Sequence, residues 1–72
     1  MFFHRDFCER LRRARKKAGY TMIRAAEKLY IQQASISRYE RGVVYPTIDR
    51  VVAMANLYGV SLDWLCGIGV EK

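Results

Sequence analysis

Apolar residues recur at helical spacing in five short blocks. In the first, Phe7, Leu11, Ala14 and Ala18 fall on one helical face. Asp6 followed by Glu9 has the spacing of a capping box, with Asp6 as N-cap, and Gly19 is a natural stop. Thr21 is placed to cap a second, short helix through Leu29 that buries Ala25, Ala26 and Leu29. A third runs from near Gln33 and ends before Gly42. Val43-Val44-Tyr45-Pro46 reads as extended, because proline disfavours helix in the residue before it. Thr47 caps a fourth helix, with Ile48, Val51, Met54, Ala55 and Tyr58 on one face and Gly59 as its stop. Ser61 caps a fifth, Leu62 to Cys66, ended by Gly67. The pattern predicts an all-α chain of five helices. Val43-Val44-Tyr45 is β-like but too short to pair alone. There are no repeats and no low-complexity segments.

The second and third helices are separated by only about three residues near Tyr30-Ile31-Gln32, the arrangement of a helix-turn-helix. On the third helix, with Ile36 at 0° and a step of about 100° per residue, Tyr39 and Glu40 flank Ile36. Ala34, Ser37, Arg38 and Arg41 fall on the opposite side. One face is therefore core, and the other is a short stripe of small, polar and basic residues. Such a stripe fits a DNA major groove: small residues permit close approach, Gln can pair with adenine and Arg with guanine. Gln33 lies near the helix start, where a side chain reaches past the N-terminus. Gln33, Ala34, Ser37 and Arg38 are the candidate base readers. A merely solvated face has the same polarity, but it does not account for a small, short stripe beside a tight turn.

Charge sharpens this picture. The chain has 72 residues, 51% of them apolar, and a net charge of +6. That is one domain with one modest core. The basic excess lies in residues 1–28, and the densest run is Arg10-Leu11-Arg12-Arg13-Ala14-Arg15-Lys16-Lys17, while residues 29–72 are balanced. A clustered basic patch points to a polyanion partner. Arg15 flanks the apolar face of the first helix and Glu40 that of the third. Charges at the rim of a core are unfavourable unless paired. Arg12, Arg13, Lys16 and Lys17 face away from the core and supply electrostatic field.

Other chemistry is poorly represented. Cys8 and Cys66 are distant in sequence and read as reduced, partly buried thiols. Two cysteines and one histidine near opposite ends make no zinc pattern, and no Gly-rich phosphate loop is present. His4 has no evident catalytic partner, so no enzyme, metal, cofactor or small-molecule substrate is expected. No apolar run approaches the ~20 residues that span a bilayer. Met1-Phe2-Phe3 is followed at once by His4, Arg5 and Asp6, so no signal peptide is expected either. The expectation is a soluble, cytoplasmic protein without a membrane partner.

From Leu11 to Gly67, about four-fifths of its length, the chain resembles the lambda-repressor-like helix-turn-helix family of phage Cro proteins and repressors. The resemblance is carried by Leu11-Arg12-Arg13-Ala14-Arg15-Lys16-Lys17-Ala18-Gly19, Ala26-Glu27-Lys28-Leu29, Ser35-Ile36-Ser37-Arg38-Tyr39-Glu40-Arg41-Gly42, Pro46-Thr47 and Gly59-Val60-Ser61-Leu62-Asp63-Trp64-Leu65. It implies a compact five-helix, all-α domain that binds double-stranded DNA through helices two and three. It also implies that Arg15 and Glu40 form an ion pair bracing helix one against helix three. The sequence departs from the family in four places. Met22 replaces a phosphate-contacting Gln, so contact there falls to backbone N–H groups around Thr21 and Met22, with Arg24 as a substitute. Tyr30 replaces the turn Gly, which calls for a strained backbone or a different turn, and its ring is expected to pack on the core rather than point to DNA. Gln32 replaces a Ser or Thr, and Ala25 replaces a Leu, thinning the local core. Gln32, Arg41 and Tyr45 are further candidate phosphate contacts.

One such module buries only about 600–1,000 Å² on DNA, so a homodimer on a palindromic site is expected. Leu57, Leu62, Trp64, Ile68 and Val70 are the candidate dimer interface. These features together predict a sequence-specific transcriptional regulator, a repressor acting by occupancy. The alternative is an antitoxin-like protein-interaction module in which DNA binding is secondary.

Overall fold

The computed structural model describes residues 6–67. Five helices follow one another: α1 (Phe7–Lys17), α2 (Met22–Leu29), α3 (Gln33–Arg41), α4 (Ile48–Tyr58) and α5 (Leu62–Cys66). No strand occurs among the described residues. This is the expected five-helix, all-α architecture, with α2 and α3 paired as the expected helix-turn-helix.

The start signals act as side-chain caps at three helices. Thr21 Oγ1 accepts from Arg24 N–H at 3.1 Å, Thr47 Oγ1 from Arg50 N–H at 3.3 Å and Ser61 Oγ from Trp64 N–H at 3.0 Å. The capping box at α1 does not form: Asp6 occupies the N-cap position, but its side chain accepts no capping hydrogen bond. Its backbone, at φ −89° and ψ 7°, is not the extended conformation that a capping side chain requires.

Every helix contributes to one core. Phe7, Leu11 and Ala14 meet Ala25, Ala26, Ile36 and Tyr39, and below them lie Val51, Met54, Ala55, Tyr58, Leu65 and Cys66. α3 packs against both α1 and α2, so its inner face is held from two sides. Leu29 is half-buried against this core, as are Met22, Ile31, Leu57, Leu62 and Trp64. Two residues assigned to core faces are instead exposed. Ala18 sits at the end of α1, past the packed turns, and Ile48 in the first turn of α4 is 45% exposed. Gly42 ends α3 at φ +77°, and a Cβ there would come within 3.2 Å of the half-buried Cys8 Sγ, so both the backbone and the neighbouring side chain favour glycine. Both cysteines are free thiols, and burial pushes the pKa of Cys66 up.

Tyr30 contradicts its expected packing. It is 94% exposed, and it takes the strained option, φ 59° and ψ 42°. That left-handed conformation costs a residue with a Cβ roughly 1–2 kcal/mol. Backbone bonds pin it there: Tyr30 N–H donates to Glu27 C=O at 3.3 Å and Ile31 N–H to Ala26 C=O at 3.0 Å. Ile31, the next residue, turns inward to the core, so the tyrosine side chain is left outside.

No helix among the described residues is long and apolar enough to cross a membrane, and none of them group into a candidate metal site.

Burial, followed by the nearby Glu40 carboxylate, pushes the Tyr58 phenol up to about 12. A group whose folded pKa lies above its unfolded value, about 10 for tyrosine, stabilises the fold fully below the unfolded pKa and loses that contribution as pH rises through the folded one. Urea midpoints measured from pH 8 to 12 should therefore fall between about 10 and 12. The fall should be shallower in Tyr58→Phe; identical profiles would remove Tyr58 as a source.

Candidate nucleic-acid interface

The site begins with what holds α3. Arg15 Nε donates to Glu40 Oε2 at 2.7 Å and Nη2 donates to Oε1 at 3.0 Å. This is a bidentate pair, the strongest geometry open to these two groups. The two side chains are 7% and 4% exposed, so water screens them little. The third guanidinium nitrogen, Nη1, donates to Tyr20 C=O at 2.8 Å, tying the turn before α2 into the same contact. Hydrogen bonding to the carboxylate raises the Arg15 pKa against the opposing effect of burial, so the arginine stays charged. Arg50 Nη1 adds a second tie, donating to the buried Tyr39 Oη at 3.0 Å and joining α4 to α3. α3 is thus fixed in rotation by polar contacts as well as by Ile36 and Tyr39.

With the inner face fixed, the outer face follows from helix geometry. Gln33, Ala34 and Arg38 are exposed, and Ser37 is half-buried. Arg41 is also exposed, and its Nε donates to Ser37 Oγ at 3.1 Å one turn away. Gln32 is exposed at the N-cap position, but its side chain makes no capping bond. The stripe is open, small at its centre and positive at its far end.

Around it the candidate backbone contacts separate. The Thr21 side chain is engaged as a cap. Met22 turns its side chain to the core and can offer DNA only its N–H. Arg24 Nη1 contacts Glu27 Oε1 at 3.0 Å, but both side chains are more than half exposed, and such a pair is weak enough to yield to a phosphate. Tyr45 is 40% exposed, with its ring 5.9 Å from that of Phe7, so part of it belongs to the core.

The basic run on α1 divides in two. Arg15 serves the brace. Arg10, to which the sequence reading gave no role, donates from Nη1 to Trp64 C=O and lies 5.3 Å over the Trp64 ring. The signal for it was present, since Arg10 is three residues after Phe7 and four before Ala14 and so borders the apolar face. Arg12, Arg13, Lys16 and Lys17 remain exposed. At the proposed dimer interface, Leu57, Leu62 and Trp64 are half-buried against their own core, and Ile68 and Val70 lie outside the described residues.

A helix-turn-helix family model matches residues 11–65, and the chain belongs to that family. It is 49% identical over 59 residues to the HTH-type transcriptional regulator ImmR of Bacillus subtilis, covering 82% of this chain and 46% of that protein. It is 36% identical over 59 residues to the cryptic phage CTXphi transcriptional repressor RstR of Vibrio cholerae, covering 82% and 53%. The HTH-type transcriptional activator BcrR of Enterococcus faecalis is 30% identical over 60 residues, covering 83% and 29%. The chain spans about half the length of the first of these relatives.

Replacing Glu40 by Gln keeps the shape of the side chain but leaves the Arg15 charge buried without its counter-ion. Breaking a buried pair in this way typically costs about 3–5 kcal/mol. Thermal unfolding of Glu40→Gln should show a large drop in midpoint; an unchanged midpoint would remove the brace.

Proposed function

We propose that this chain is a sequence-specific DNA-binding transcriptional regulator that works as one domain, with α3 lying in the major groove. The observation that carries the reading is the outer face of α3: Gln33, Ala34 and Arg38 stand open beside a tight turn, while Ile36 and Tyr39 fix the opposite face in the core. Gln33 and Arg38 read base edges, Ala34 and Ser37 allow close approach, and Arg41 and Gln32 hold phosphates at the rim. The N–H groups at the start of α2, near Thr21 and Met22, add a further phosphate contact, with Arg24 and Tyr45 beside it. Arg12, Arg13, Lys16 and Lys17 raise the local potential and speed encounter without reading sequence.

We further propose a homodimer on a palindromic site. The longest dimension of the body, 30 Å, is close to one turn of DNA, about 34–36 Å, so one copy suits one half-site. We place self-association on the face of Leu57, Leu62 and Trp64, each only partly buried by its own core, continued by Ile68 and Val70 outside the described residues. Repression by occupancy is the regulatory sense proposed. Similarity to a protein named as a phage repressor supports it, although a relative named as an activator carries a similar domain.

Selection of bound sites from random DNA tests this. The expected result is one enriched palindrome with half-sites centred about 10 base pairs apart. Arg38→Ala should keep its fold and lose about tenfold or more in preference for that site over random duplex. No enrichment with the original chain would contradict DNA reading, and the same site selected by Arg38→Ala would remove Arg38 as a reader.

A further inference from the structure

Each of the five helices ends through a residue in the left-handed region. Four of these residues are Gly19, Gly42, Gly59 and Gly67, for which the conformation is easy. The fifth, in the turn between α2 and α3, is Tyr30. The turn itself does not need a tyrosine. Its closing bonds are made by backbone groups, and Ile31 supplies its anchor in the core. The ring is 94% exposed, so no packing offsets the strain. Strain kept where the fold gains nothing from it points to a use outside the fold.

Position indicates that use. Tyr30 is three residues before Gln33, so their Cα atoms lie within about 11 Å of one another. The major groove is about 12 Å wide, so the phosphates lining a groove that holds α3 fall within the added reach of a tyrosine side chain. A protein partner is less well supported by the surroundings. The exposed apolar neighbour on the same face of α2 is Ile23, and charged Arg24, Glu27 and Lys28 lie between them. That is not a contiguous apolar patch.

We propose that Tyr30 is a DNA-backbone contact whose phenol O–H donates a hydrogen bond to a phosphate oxygen at the edge of the groove entered by α3. This rests on the DNA-binding reading above. Because a phosphate is present at every step, the contact strengthens binding to any duplex and positions α3 without discriminating among sequences. Because the phenol is neutral, it displaces no counter-ion.

The test uses the whole chain with Tyr30→Gly and Tyr30→Phe, titrated against a random duplex and the enriched site by fluorescence anisotropy. Both variants should bind both duplexes about tenfold more weakly than the original, the loss expected for one hydrogen bond to a charged group. The salt dependence should keep its slope. The thermal midpoint of Tyr30→Gly should hold or rise, by up to about 5 °C, as the strain is relieved. Affinities within twofold of the original for both variants, in a chain whose Arg38→Ala variant still loses site preference, would overturn the proposal and leave the reading of α3 standing. A lower midpoint for Tyr30→Gly would also overturn it, by making Tyr30 a structural residue. An original chain that binds neither duplex would sink both ideas.

Discussion

The Arg15–Glu40 pair is the constraint on which the outer surface of this small domain depends. A helix of nine residues has little apolar surface with which to fix its own rotation. Ile36 and Tyr39 bury α3, but a rotation of a few tens of degrees would keep much of that burial and move every outward side chain. The bidentate contact removes that freedom, because two parallel hydrogen bonds are satisfied in one orientation only. The Arg15 bond to Tyr20 C=O extends the constraint to the segment entering α2. Three elements are therefore fixed by one guanidinium.

This changes the meaning of the basic charge. The run from Arg10 to Lys17 looks like one patch in the sequence, yet its members do different work. Arg15 is internal, and Arg10 clasps the carbonyl and ring of Trp64. The four exposed members contribute long-range potential, which falls off over about 10 Å at moderate salt. The candidate readers lie in a segment with no net charge. Strength of attraction and choice of sequence are thus assigned to different helices.

Much of the fold was legible in the sequence because its signals are local. Thr21, Thr47 and Ser61 at helix starts, with Gly59 and Gly67 at the stops of α4 and α5, placed the helices that form. The inner face of α3 was readable for the same reason, since the two-residue step from Ile36 to Arg38 turns about 200° and so places them on opposite faces. What was not legible depended on contacts across the fold or on backbone conformation. Asp6 has the right type and spacing for a cap but the wrong ψ. Ile48 continues the apolar face of α4 by spacing, yet in the first turn of that helix it is left 45% exposed. The Tyr30 ring was expected to pack on the core rather than point to DNA, whereas the turn geometry directs Ile31 inward and leaves Tyr30 out. Arg10 and Arg50 find partners more than ten residues away, which no local pattern encodes.

The central claim is that the outer face of α3, rather than the basic run of α1, is the surface that meets DNA. Amide chemical shifts recorded while the chain is titrated with a duplex carrying its selected site test this most directly. The large changes should fall on residues 33–41 and at the start of α2, with smaller ones around Arg12, Arg13, Lys16 and Lys17. Large changes confined to α1, with residues 33–41 unmoved, would contradict it.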